Sequence, residues 1–260
     1  MKVVNLVMLV VVVCAILLPF EEVKSTLPHL KSKRQLISYL LMAWVLIYEL
    51  RVLVLITMVR RTANPEAEFA FSSDRKTPLG RLFAGLSSWE KRFWLYALMI
   101  KVPAREAFEG VNHFGSGKQN GNASAWLGWA IVNLVPTPII HILLHQKSPL
   151  AAGLSTLACL MSSLWLWAEY RAATVRPISL DMKFLYLRYG LTTNCKIDRG
   201  SILSVKAVTY LDSLHGVRRY AGFGSPNVLL KLKSGEELAI GVDEPTQFIK
   251  SLMGNIHAFS

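Results

Sequence analysis

Charge is scarce in this chain, and acidic charge is the scarcer kind. Only 18% of residues are charged, with 17 Asp and Glu against 29 Lys and Arg. Beside 52% hydrophobic residues, that scarcity excludes an ordinary water-facing surface for the chain as a whole. Cysteine is also sparse. The three present, Cys14, Cys159 and Cys195, are scattered without metal-ligand spacing, and their odd number argues against a disulfide framework. They read as small apolar side chains. Patterns that carry chemistry are missing as well. "GSGKQNG" at 115–121 has the look of a phosphate loop, but Ser116 follows Gly115 where Lys is required. Gln119 follows Lys118 where a magnesium-binding hydroxyl is needed, so the stretch reads as a flexible loop. No catalytic residue, metal site or cofactor is indicated.

Long apolar runs are what the chain does have. Four qualify as membrane spans: about 3–20, 36–59, 125–144 and 150–168. The first would rise about 27 Å as a helix. It is also open to reading as a signal peptide after Lys2, although Pro19, Phe20, Glu21 and Glu22 make a poor cleavage site. A shorter apolar stretch, Phe93–Ile100, has Trp89, Lys91, Arg92, Trp94 and Lys101 about its ends and suits an interfacial helix over about 89–101. Basic residues set the orientation. Residues 60–123 hold ten Lys or Arg, the 145–149 connection holds Lys147 alone, and the tail from 169 holds twelve. That bias places 60–123 and the tail in the cytoplasm, with 21–35 as a discordant stretch. The expected location is a cell membrane, crossed several times, of the bacterial inner-membrane kind. Arg171 and Arg176 would mark its headgroup level. The excess of positive charge suits an anionic lipid surface better than nucleic acid.

Beyond Ala168 the pattern changes to short strands and turns. Phe184–Tyr189, Cys195–Ile197 and Ser204–Leu211 read as strands. "DSLHGVRRYAGFGSP" reads as a loop rich in Gly, with Arg218 and Arg219 in it. "NVLLKLKSGEELAIGV" alternates on both sides of a Ser234-Gly235 turn, which is the pattern of a hairpin. Asp243 is placed to cap a helix that opens at Pro245 and carries a stripe of Phe248, Ile249, Leu252 and Met253. The fold class expected is an α-helical membrane bundle of about four transmembrane helices over 1–170. A small PH-like β-barrel with a C-terminal helix follows over 176–256.

Several of these segments carry a resemblance. Arg176-Pro177, Arg188-Tyr189-Gly190-Leu191, the Ile197/Ile202/Val205 spacing and Asp243–Pro245 resemble bacterial membrane proteins that end in a pleckstrin-homology-like domain. The resemblance covers roughly residues 120–253. It implies architecture and is nearly silent on function, because those relatives are mostly uncharacterised.

Two sets of residues invite a functional reading. Glu49 and Arg51 are ionisable groups inside a span, and such groups usually find partners or form a site. His141 and His145 lie at i, i+4 on one helical face, with no third ligand nearby in sequence. Together they would form the intramembrane site of a membrane enzyme or transporter. The other set is Arg188, Lys196, Arg199, Arg218, Arg219, Lys231 and Lys233, a basic face of the tail suited to a protein partner or anionic lipid. The tail holds eight acidic residues against its twelve basic ones and is only modestly positive, and the first strand connection, Thr192–Lys196, supplies just one basic residue where a phosphoinositide site needs a cluster. The sequon Asn122-Ala-Ser124 would lie in the cytoplasm and go unglycosylated. Binding, through the tail or the 212–226 loop, is the expected role. Oligomeric state is open.

Overall fold

The computed structural model describes residues 89–98, 104–118, 122–209 and 216–254, with scattered positions between 43 and 57. The expected span at 3–20 lies outside the described residues. Of the span at 36–59, the described positions, Glu49 and Arg51 among them, are all helical. The chain divides into two compact units, residues 1–62 with 68–91, and residues 63–67 with 92–260. The second unit holds the helical pair and both sheets.

Two helical runs in this unit, Asn122–His145 and Ala151–Val175, are long and apolar enough to cross a membrane. The first is interrupted. Helix α1 (Asn122–Leu134) meets α2 (Thr137–His145) at a two-residue turn. Pro136 and Pro138 have no N–H to give, and between them the Thr137 hydroxyl donates to the Asn133 carbonyl at 2.9 Å. Helix α3 (Pro149–Val175) starts with Pro149 in its first turn, and the Ser148 hydroxyl accepts from the Ala151 N–H. It spans about 40 Å.

The two runs pack as an antiparallel pair stitched by polar groups. The Asn133 amide donates to the Cys159 carbonyl at 2.9 Å and to the Ser163 hydroxyl at 3.0 Å. The His141 ring nitrogen lies 2.7 Å from the Thr156 hydroxyl. Each such bond in a membrane contributes about 0.6 kcal/mol on average. The outward surface is apolar: Ile131, Val132, Val135, Ile139, Ile142 and Leu143 are all exposed. That is how a helix looks when lipid is its solvent.

The β-rich region holds two sheets of four strands. In the first, β1 (Asn112–Phe114), β2 (Ile178–Leu180), β3 (Phe184–Tyr189) and β4 (Thr193–Asp198) are antiparallel neighbours in that order. The second runs β5 (Ile202–Ala207), β7 (Val228–Leu232), β8 (Glu237–Ile240), β6 (Val217–Tyr220), with β6 parallel to β8. Helix α4 (Pro245–Met253) is the last element among the described residues. Leu185, Leu187 and Tyr189 alternate inward from β3 and meet Val228, Leu230, Leu238 and Ile240 from the other sheet. Phe248 and Leu252 of α4 complete this core, and Phe248 stands edge-on to Phe114 at 5.3 Å. Burying each contributes about 1.5–3 kcal/mol.

Three details depart from the sequence reading. The first sheet takes β1 from residues 112–114, upstream of the helical pair and of the 176–256 boundary, so the helices are an insertion between paired strands. β6 forms inside the stretch expected to be loop, because Val217 and Tyr220 pair with Glu237 and Ile240. Asp243 does not cap α4: the N-cap position is Glu244, with no side-chain hydrogen bond.

Candidate functional site

Charged and amide side chains collect where the helical pair meets the sheets. Glu169 and Arg176 lie seven residues apart near the end of α3, so they share a helix face. Pro177 follows and cannot extend the helix hydrogen bonding. Glu169 accepts the Leu191 N–H at 3.0 Å, and Arg176 donates to the carbonyls of Gly190 and, at 3.1 Å, Thr193. Arg92, from the helical segment 89–98, donates to the Leu191 carbonyl at 2.8 Å. The β3–β4 turn is therefore gripped by three long polar side chains from helices and a helix end. The bonds from the two arginines are charge-assisted, and such bonds are roughly twice as strong as neutral ones.

Gly190 explains why the turn has its sequence. Its φ is +49°, and a Cβ there would stand 2.0 Å from a Glu169 carboxylate oxygen. No side chain fits that approach.

Two further clamps act at the start of α1. The buried Asn122 amide donates to the Ser116 carbonyl at 2.9 Å. Its carbonyl oxygen accepts from the N–H groups of Phe223 at 2.9 Å and Gly224 at 3.5 Å. The Asp243 carboxylate accepts the Lys118 N–H at 2.9 Å, and the Asp243 N–H donates to the Gly115 carbonyl. The expected flexible loop is therefore held at 115–118, while 119–121 lie outside the described residues. Asn122 is buried by its own contacts, which removes the sequon independently of topology.

A second cluster occupies the outer face of the first sheet. Ser179 is paired across from His113 on β1 and Tyr186 on β3. Its hydroxyl lies 2.8 Å from His113 Nδ1 and 2.9 Å from Arg188 Nη1. Arg188 also donates to the carbonyls of Pro177 and Glu109, and stands 3.6 Å from the Glu109 carboxylate. Burial holds the His113 ring below the usual histidine range, with Arg188 and Arg105 acting in the same direction and Glu106 opposing. A neutral ring can accept the Ser179 proton. Ser179 has no exposed surface, so this pair positions strands and is out of reach of a substrate. Along the same face, Lys196 Nζ lies 3.8 Å above the Phe184 ring, with Lys183 5.4 Å from it. This is an exposed patch of cations around an aromatic ring.

The basic face expected from the sequence divides. Arg188 and Arg199 are buried, which corrects their reading as contact residues. Arg199 donates to the carbonyls of Asp181, Ser251 and Leu252, tying α4 to the β2–β3 turn. Long cations look like surface from sequence, but five fixed N–H donors also serve to satisfy buried carbonyls. Arg176 is 1% exposed and is likewise no headgroup residue. Arg218 and Lys231 sit 3.7 and 3.5 Å from Glu236 and Glu237. Arg219 folds back on the Gly222 and Gly224 carbonyls. Lys196 and Lys233 remain exposed.

Of the expected intramembrane site, His141 and His145 share a face with ring centroids 5.7 Å apart. His141 is engaged by Thr156, and no group of three metal-ligating side chains occurs among the described residues. Glu49 and Arg51 belong to the other compact unit. Glu49 is half-buried and Arg51 exposed there. Sequence reasoning missed Glu169, Asn122 and Asp243 as a set, since their partners lie 22 to 125 residues away. The chain matches no protein-family model, no curated protein and no solved structure.

Proposed function

We propose that this chain is a membrane-anchored binding protein, without catalytic activity, that presents a PH-like domain to a protein partner at the cytoplasmic face of a bacterial inner membrane. The anchor is a helical bundle to which the spans at 3–20 and 36–59 contribute. The observation that carries the reading is the three-point clamp of Glu169 with Arg176, Asn122, and Asp243. A domain fixed at two points on its own membrane helices and at a third on the loop leading into them holds one orientation to the bilayer, and a scaffold needs that to offer the same face to a partner. The contact face is the exposed cation–aromatic patch of Lys183, Phe184 and Lys196. Aromatic rings flanked by cations are typical binding anchors. It lies at the opposite end of β3 from the clamped turn, about 17 Å along the strand.

The test is photocrosslinking in intact cells, with a photoreactive residue at Lys196 and, as a control, at Ser234. One discrete protein adduct from position 196, lost on Phe184→Ala, is the expected result. Lipid adducts alone, or equal adducts from both positions, would overturn the proposal. Reporter fusions after Lys147 and Ser260 check the orientation, with the second expected on the cytoplasmic side.

A further inference from the structure

The loop between β6 and β7 is bound to the membrane helices and carries an exposed aromatic side chain at its turn. Phe223 is 48% exposed, yet its ring centroid is 4.5 Å from that of Trp126 on α1. Trp126 in turn stands edge-on to Trp165 on α3 at 5.7 Å. These two tryptophans lie toward the sheet end of the paired helices, one turn inside α1 and just before Glu169 on α3. Tryptophan is enriched at the headgroup level of a bilayer, where an amphipathic ring finds both of its solvents. A ring packed edge-on against a tryptophan at that level shares its depth.

The loop is built to hold this position. Asn122 accepts the N–H groups of Phe223 and Gly224. Arg219 closes the turn from within by donating to the carbonyls of Gly222 at 3.1 Å and Gly224 at 2.7 Å. A Cβ on Gly222 would fall 2.2 Å from the Asn122 oxygen, so the loop backbone lies directly on α1. Four backbone groups are thus satisfied locally, and the apolar side chain is left facing outward. Such an arrangement suits entry into an interface, where unpaired backbone polar groups are costly. Further exposed apolar side chains, Trp129 and Val132, follow on α1.

We infer that Phe223 inserts into the headgroup–acyl boundary of the bilayer that holds the helical pair, making the β6–β7 loop a second membrane contact. The occupant is lipid, recognised by an apolar ring at interface depth. The clamp residues fix where that ring sits. This inference rests on the helical pair being embedded in lipid, and the experiment separates the two.

The full chain, with Cys14, Cys159 and Cys195 replaced by Ser, is labelled with an environment-sensitive fluorophore at Phe223→Cys. It is reconstituted in phosphatidylcholine–phosphatidylglycerol vesicles. Ser225→Cys provides a second label site that leaves Phe223 in place. Val132→Cys reports on the helical pair, and Ser234→Cys on the distant β7–β8 turn. The expected result is blue-shifted emission at 223 and 225, quenched by a lipid nitroxide near the headgroup and shielded from aqueous iodide. Position 132 should be quenched more strongly by a nitroxide deep in the acyl chain, and 234 by iodide alone. If 132 is quenched by lipid while 223 and 225 behave like 234, the loop does not insert and the inference fails. If 132 is itself open to iodide, the helices are not embedded and both readings fall.

Discussion

The Glu169 carboxylate accepts the Leu191 N–H across 22 residues of sequence, and the same carboxylate occupies the space where residue 190 would carry a side chain. One group thereby fixes both the backbone direction and the residue type of the β3–β4 turn. Gly190→Ala should destabilise the fold on two counts. The left-handed conformation at φ +49° costs a non-glycine residue about 1–2 kcal/mol, and the methyl group also collides with Glu169. Glu169→Ala alone should cost about 1–3 kcal/mol by leaving a buried donor without its partner. The double variant should lose less than the sum, because the smaller side chain removes the collision. Thermal unfolding of the four proteins in detergent closes this cycle, and strict additivity would count against the contact.

Asp243 distinguishes a loop clamp from a helix cap. Its carboxylate bonds the Lys118 N–H, 125 residues earlier, while α4 begins after Glu244. Asp243→Ala should therefore expose the Lys118 amide to hydrogen exchange and leave the first-turn amides of α4 unchanged. A capping role would give the reverse. The stability loss should be about 1–2 kcal/mol, toward the low end for a charged hydrogen bond because the contact is solvent-facing.

Which parts of the architecture could be read in advance follows from how far each signal reaches along the chain. The β7–β8 hairpin was legible because alternation and the Ser234-Gly235 turn are local, and β3 because Phe184–Tyr189 is a six-residue run rich in aromatic and Leu side chains. β1 and β2 were not, since three residues carry no period and their pairing skips the entire helical insertion. β6 was hidden because its two central residues are arginines and its partner is parallel, so neither hydrophobic alternation nor a tight turn announces it. Asp243 followed the local rule for helix starts, and a distant loop won the competition for its carboxylate. At the site, residue type was the obstacle. Arg176, Arg188 and Arg199 are cations by sequence and carbonyl-holding struts by contact.

The divided fate of the arginines is directly measurable. Arg188→Ala removes donors to Ser179, Pro177 and Glu109 from a nearly buried site and should cost about 3 kcal/mol or more. Arg188→Lys should recover little of it, because one ammonium cannot reproduce a planar fork. Arg218→Ala, at an exposed ion pair with Glu236, should stay within about 0.5 kcal/mol of the parent. Urea titration of the three variants is sufficient. Equal losses at 188 and 218 would return Arg188 to the surface.

The Asn133 amide reaches both the Cys159 carbonyl and the Ser163 hydroxyl inside the helical pair. Asn133→Leu should weaken the pairing by roughly 0.6–1.7 kcal/mol, the range for interhelical hydrogen bonds in lipid. Ser163→Ala in that background should add little, since only the long 3.4 Å bond of its hydroxyl to the Ala130 carbonyl is left to lose. Steric trapping or forced unfolding in bilayers measures the difference, and a full additive loss would show that the two side chains act separately.

His113 makes the fold sensitive to mild acid. Burial, together with Arg188 and Arg105, keeps its folded-state affinity for a proton below that of the unfolded chain, whose ordinary value is 6.5. As the pH falls through that value the unfolded chain takes up a proton that the folded chain resists, so the unfolded state gains and stability declines. The loss grows until the pH passes the lower folded value and then stops. Above the ordinary range the ring is neutral in both states and contributes no slope. His113→Gln can still meet the Ser179 hydroxyl but does not titrate. The parent should therefore lose stability relative to this variant on going from neutral to mildly acidic pH, with the two curves parallel on the alkaline side. Denaturant midpoints across that window test the sign. A parent that gained on the variant as the solution was acidified would mean that the ring is charged in the fold, and that Glu106 and Glu109 outweigh burial and the arginines.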